Sequence, residues 1–294
     1  MTSIRKKALT NISPNDTSAL ARYWSKKPGV LFSVDLYQFF RGYKFNYIEF
    51  GNYNSQEYRS KKLHDLLLSC QYVLSKFLKT KNLGLDYNLN VAFGSRGLPK
   101  TEGVFFPNTM FINLTHMTKV LDLTTGKYRK HIFGLESFMH EYAHAVEYFI
   151  GRFVCPIPFC NYLSESWDKP LIKDPLRLAM SDLLLNYYES QFALNPKFLK
   201  DAGSDYKKPI ANKAYWVSPN ECFARISEQC LRYYTDITKN DKNYICYSAS
   251  FYSSAPSVYM PENVLKIVFP FWLDVMNLIG EVLRGKYSEK KIMK

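Results

Sequence analysis

The 294-residue chain has no CxxC pair: its six cysteines, Cys70, Cys155, Cys160, Cys222, Cys230 and Cys246, are scattered, and none stands at zinc-finger spacing from a histidine. Neither a zinc ribbon nor a disulfide framework is indicated, and free buried thiols in a reducing compartment are the expectation. The start, Met1-Thr2-Ser3-Ile4-Arg5-Lys6-Lys7, has no apolar stretch behind its basic residues. That argues against a secretory signal and for a product that begins in a cytoplasm. The chain also lacks an uninterrupted apolar run of the ~20 residues a bilayer span requires. Its most apolar late stretch, Val264 to Leu283, carries Lys266, Pro270, Asp274 and Glu281, and reads as a buried helix pair rather than a membrane segment. There is no phosphate-binding loop, helix-turn-helix, RNA-recognition signature, internal repeat or low-complexity block. Acidic residues are few, 26 against 39 Lys and Arg, and the resulting net charge of +13 favours anionic partners without naming one.

What is there is a globular composition. Hydrophobic residues make up 47% and aromatics 16%, with 23 Tyr and 21 Phe, which excludes a disordered chain, a collagen or a coiled coil. Residues 1–29 are polar and basic and read as a flexible tail. From Lys61 to Leu78, apolar residues recur at spacings of three and four, the pattern of an amphipathic helix. The period then changes. Leu89–Phe93, Val104–Phe106 and Met110–Ile112 read as short strands, the last two forming a hairpin around Pro107-Asn108-Thr109. A helix is expected from Phe133 to Ile150, with Gly151 in the left-handed position that ends it. Further helices are expected from Pro175 to about Leu194 and from Ser218-Pro219 onward.

The chemistry concentrates in the helix that starts at Phe133. It contains His140-Glu141-Tyr142-Ala143-His144, two imidazoles four residues apart on one face with a carboxylate beside them, able to hold a metal and to take a proton from water. With five His and 13 Glu in 294 residues, chance would supply roughly 0.004 such matches. On a helical wheel Glu136, Ser137, His140, Glu141, His144 and Glu147 share a sector of about 140°, and the remainder of the helix is almost wholly apolar. The competing reading is that this sector simply faces water.

A catalytic zinc needs a third protein ligand and an open fourth position. Glu147 lies on the same face, but a straight helix carries it about 10 Å along the axis from His140, which favours a supporting role. Glu221, in Ser218-Pro219-Asn220-Glu221-Cys222-Phe223-Ala224-Arg225, is the other candidate. The same residue completes a capping box with Ser218 as N-cap and Pro219 at the first helical position, so ligand and cap stay open from spacing alone. Arg225, one turn on, can orient the carboxylate in either case. Met110, Phe111, Ile112 and Asn113 are the expected edge strand over the metal helix, where an extended substrate could add through backbone hydrogen bonds.

Several of these segments in order resemble the first of the large polyvalent-protein-associated domains, found in phage and conjugative-element proteins and regarded as zincin-like metallopeptidases. The resemblance covers most of the chain. It runs through Phe40-Arg41-Gly42, Glu49-Phe50-Gly51-Asn52-Tyr53, Ala92-Phe93-Gly94-Ser95-Arg96-Gly97, Ile112-Asn113-Leu114-Thr115 and His140-Glu141-Tyr142-Ala143-His144-Ala145. It ends with Tyr215-Trp216, Ser218-Pro219 and Glu221-Cys222-Phe223-Ala224-Arg225. The segments Tyr43–Ile48 and Val120–Lys130 are longer than the pattern. The resemblance implies one zinc held by His140, His144 and Glu221, with Glu141 activating water and Glu147 matching the acidic position that follows the second His. Tyr215 and Arg225 are the further catalytic candidates.

The expected architecture is therefore α+β, mainly helical and zincin-like, with a small antiparallel sheet over the HExxH helix. Residues 30–236 form the metallopeptidase domain, and 237–294 a helical extension packed on it. The expected function is a zinc metallopeptidase of a phage or other mobile element, acting on a protein or peptide in the bacterial host cytoplasm or within a virion, with no membrane partner. The rival expectation is a non-catalytic virion or host-partner protein that keeps the fold and meets nucleic acid through its basic surface without sequence specificity.

Overall fold

The computed structural model describes residues 42–50, 74–93, 103–114, 118–122, 127–131, 135–168, 174–195, 198, 217–237, 252 and 259–286. Its elements are β1 (Tyr47–Phe50), α1 (Ser75–Leu78), β2 (Asn90–Phe93), β3 (Gly103–Phe106), β4 (Phe111–Leu114), β5 (Thr118–Asp122), β6 (Lys127–His131), α2 (Leu135–Phe149), α3 (Pro175–Leu194), α4 (Pro219–Ile237) and α5 (Glu262–Leu283). The architecture is α+β and mainly helical. Strands β2, β3 and β4 and helices α2, α3 and α4 lie where the periodicity puts them. Of the amphipathic segment Lys61–Leu78, only its last turn falls within the described residues, and the tail 1–29 falls outside them.

Four strands form one sheet in the order β1-β2-β4-β3, and β5 and β6 form a separate antiparallel pair. The expected antiparallel sheet is corrected to a mixed one. β1 pairs with β2 in parallel (Ile48 opposite Val91), β2 with β4 in parallel (Val91 opposite Ile112), and only the β3–β4 hairpin is antiparallel (Phe105 opposite Ile112). Parallel neighbours require long crossovers rather than tight turns, and the chain supplies one between β1 and β2. The same order corrects the expected edge. Phe111–Asn113 belong to β4, flanked on both sides, and all four β4 side chains are buried. Met110 precedes the strand in a left-handed turn at φ 47°. An apolar run without alternation marks an interior strand, and β3, with its more open side chains, takes the edge.

Helix α2 is the centre of the molecule. It packs on β3 and β4 on one side and on α4 on the other, and Phe138, Met139, Tyr142, Ala143, Ala145 and Val146 are buried in those contacts. The Tyr142 hydroxyl donates to the carbonyl of Leu83 at 2.9 Å. The helix does not stop at a left-handed Gly151. It runs into a π-helical turn, Ile150–Val154, and Gly151 is small for another reason: a Cβ there would lie 2.7 Å from the backbone of Tyr162 and Leu163. Glycine lets the segment at 161–163, which leads into a 3-10 turn at Leu163–Ser166, lie directly on the helix end.

That segment is anchored from behind by α3. Asp174 caps α3 by accepting the Arg177 N–H at 3.0 Å, with Pro175 at the first helical position. The buried Arg177 guanidinium then donates to the carbonyls of Leu163 and Cys155 and to the Ser166 hydroxyl. Helix α5 is one continuous helix, not a pair, with Pro270 inside it. Among the described residues it is the one helix long and apolar enough to cross a membrane by length and composition. Here it packs on α1, α3 and α4, burying Val264, Val268, Trp272, Val275 and Ile279 in the common core.

Candidate metal centre

Burial decides first whether the polar sector of α2 faces water. His144, Glu141, Glu136 and Glu147 are all buried, Glu147 completely. The sector faces α4 and the sheet edge, and His140, with its side chain 20% exposed, is the most open member of the His140–His144–Glu221 cluster. Ionisable groups held away from solvent require partners, and each has one.

Glu221 supplies the closure. It stands in the first turn of α4, and its Oε2 lies 3.7 Å from His140 Nε2 while Oε1 lies 3.4 Å from His144 Nε2. One ligand atom from each of the three residues can be chosen so that all lie within 4.8 Å of one another. Two ligands bound at 2.0–2.1 Å to a tetrahedral ion stand roughly 3.4 Å apart, and each imidazole lies near that distance from a different oxygen of the Glu221 carboxylate. The donor set also fits, since two neutral imidazoles and a carboxylate leave a fourth position open. Arg225 Nη2 lies 3.2 Å from Glu221 Oε2 and is itself buried. It clamps the carboxylate from the same helix.

Glu147 takes the supporting place. Its Oε1 lies 3.6 Å from His144 Nδ1, the nitrogen turned away from Glu221, and its Oε2 accepts the Ser164 N–H at 3.3 Å. The segment seated on Gly151 and held by Arg177 delivers that N–H. Glu141 points to the sheet. Its carboxylate lies by the backbone N–H of Phe105, which favours the charged form, and Gly103 of β3 lies so near that a Cβ would be 2.7 Å from Glu141 Cγ. Tyr215 lies outside the described residues.

The electrostatics follow from this packing. Burial pulls His140 down, but the carboxylates of Glu221, Glu228 and Glu141 outweigh it and push the imidazole up to about 10. His144 is raised by the same contest, with Glu147 and Glu221 overcoming burial. Burial alone would raise Glu221, yet the two imidazoles hold it well below the usual carboxylate range. Burial raises Glu141 and Glu147, and the neighbouring imidazoles offset only part of that. The carboxylates favour the protonated form of both imidazoles, and a divalent cation binding there would displace those protons.

Two residues of the site are absent from the sequence reading. Glu228 Oε2 lies 3.3 Å from His140 Nδ1. It stands seven residues after Glu221, two helical turns along the same face, and that spacing is the signal that could have found it. Tyr162 sets its ring edge-on to His144, with centroids 6.4 Å apart, and burial together with Glu147 and Glu165 pushes its hydroxyl above the ordinary tyrosine range. No spacing in the sequence announces it, because the turn after α2 brings it back. No family model, curated protein or solved structure matches the chain.

Proposed function

We propose that the chain is a zinc-dependent metallopeptidase of the gluzincin type, with the metal held by His140, His144 and Glu221. The observation that carries the reading is the meeting of a distant carboxylate with both HExxH imidazoles, at 3.7 and 3.4 Å, beside a buried Glu141. When bound, zinc supplies a Lewis acid that lowers the pKa of water and polarises a carbonyl oxygen.

The protein residues do the rest. Glu141, raised by burial, is suited to accept a proton from water and return it to the leaving amine. The close approach of Gly103 confines its carboxylate. Arg225 keeps Glu221 aimed at the two imidazoles. β3 replaces the expected edge strand at Met110–Asn113: it pairs with β4 on one side and with no described strand on the other. An extended peptide adding to that edge would pass Glu141.

The likeness to the phage and conjugative-element domain supports a mobile-element peptidase that acts in a bacterial host or a virion. The rival, a non-catalytic virion or nucleic-acid-associated protein that keeps the fold, draws on the net charge of +13, and turnover separates the two. The test is Glu141→Gln against a peptide library. Zinc content should be unchanged while cleavage falls by about 10²–10⁴-fold. Cleavage by the variant at the wild-type rate would overturn the mechanism.

A further inference from the structure

Each imidazole that presents Nε2 to Glu221 turns Nδ1 toward a second buried carboxylate. For His144 that group is Glu147, from its own helix at 3.6 Å, and for His140 it is Glu228, from α4 at 3.3 Å. Glu228 cannot share an ion with His140 Nε2, because it faces the opposite nitrogen of the ring. Nor is it a stabilising core residue in its own right. It is buried, and its Oε1 has no hydrogen-bond partner among the described residues. Leaving a buried acceptor unmade costs stability, and an apolar side chain in that place would avoid the loss.

The surroundings fix where Glu228 points. On either side of it in sequence, α4 is fastened to the C-terminal part of the chain. Ser227 Oγ accepts the Trp272 indole N–H at 3.0 Å. The Gln229 amide donates to the Met260 carbonyl at 2.9 Å and accepts the Met260 N–H at 2.8 Å. These bonds set the rotation of α4 about its axis, and that rotation turns Glu221, Arg225 and Glu228 toward α2 together.

We propose that Glu228 is a positioning residue that holds His140 in the tautomer protonated at Nδ1, leaving the Nε2 lone pair for a metal. A neutral imidazole has one nitrogen free to ligate, and the hydrogen bond at the other nitrogen selects which. Glu147 faces the corresponding nitrogen of His144 at 3.6 Å, beyond hydrogen-bond length, so among the described residues Glu228 makes the carboxylate hydrogen bond to Nδ1 of this pair of rings. The proposal rests on the zinc reading of the site.

The test uses the full chain as wild type, Glu228→Ala, Glu228→Met and Glu228→Gln. Zinc affinity is measured by competition with a chromophoric chelator, and the His140 tautomer by imidazole nitrogen NMR on the zinc-loaded protein. Glu228→Ala and the bulk-preserving Glu228→Met should weaken zinc by about 10–100-fold and release the fixed tautomer. Glu228→Gln, whose carboxamide oxygen still accepts from Nδ1–H, should stay within a few-fold of wild type. If Glu228→Ala fails to fold, Glu228→Met against Glu228→Gln decides. Zinc bound equally by wild type and Glu228→Met, with the His140 tautomer unchanged, would overturn this proposal and leave the metal site standing. A wild type that binds no zinc would overturn both.

Discussion

Glu141 is positioned by what lies over it. The backbone of β3 comes so close that Gly103 is the residue that fits there, a Cβ falling 2.7 Å from Glu141 Cγ and 2.9 Å from its Oε1. Because the atoms it would strike belong to a side chain that can swing, Gly103→Ala should fold with near-normal stability and bind zinc as wild type does. The cost should appear in turnover. A displacement of about 1 Å at a proton-transferring group lowers kcat by up to about 10²-fold, and kinetics beside a zinc titration separate the two effects; unchanged kcat would mean that Glu141 does not act where it lies. At this scale the sequence was legible in part. His140, Glu141 and His144 announce themselves by local spacing alone. Glu221 was ambiguous because the first turn of a helix asks for a carboxylate as a cap and a metal asks for one as a ligand. The packing of α4 on α2 turns both of its oxygens to the imidazoles. Glu228 was within reach of the seven-residue spacing from Glu221, whereas Tyr162 depends on a contact between separate segments, which no single-helix spacing encodes.

At the scale of elements, the expectations that changed are those in which tertiary contact overrode a local rule. Gly151 looks like a helix terminator, yet the described backbone continues through a π turn, and glycine serves the close approach of 161–163 instead. The run from Met110 to Asn113 is apolar enough to read as a strand, but the absence of a polar alternate face belongs to an interior strand, so the edge passes to Gly103–Phe106. The strand β1 and the β5–β6 pair have no strong alternation and were not foreseen. Pro270 reads as a break, yet α5 continues through it. An exposed proline in a helix interior removes one backbone hydrogen bond and costs about 3 kcal/mol relative to alanine; here the burial of Trp272, Val268 and their neighbours outweighs that. Pro270→Ala should therefore raise the unfolding free energy by about 1–3 kcal/mol in urea titration. A loss of stability would show instead that the local backbone set by Pro270 is needed to seat α5 on α3.

At the scale of the whole molecule, the fold brings together three pieces of a site that are far apart in sequence. β3 contributes the strand over Glu141, α2 the two imidazoles, and α4 the carboxylate that joins them, while Arg177 and the 161–166 segment brace the far side through Glu147. The C-terminal helix enters this account as well, since its bonds to Ser227 and its approach at Met260 hold α4 in rotation. The mainly helical α+β class was legible from periodicity, and the mixed sheet was not, because parallel pairing depends on crossovers that leave no local signal. The central claim is that His140, His144 and Glu221 hold one zinc. The most direct measurement is metal content by mass spectrometry of purified wild type, His140→Ala and Glu221→Ala, each supplied with zinc and then dialysed. One zinc per chain in wild type, lost in both variants, is the predicted result; wild-type protein without zinc, or zinc retained in both variants, would contradict it.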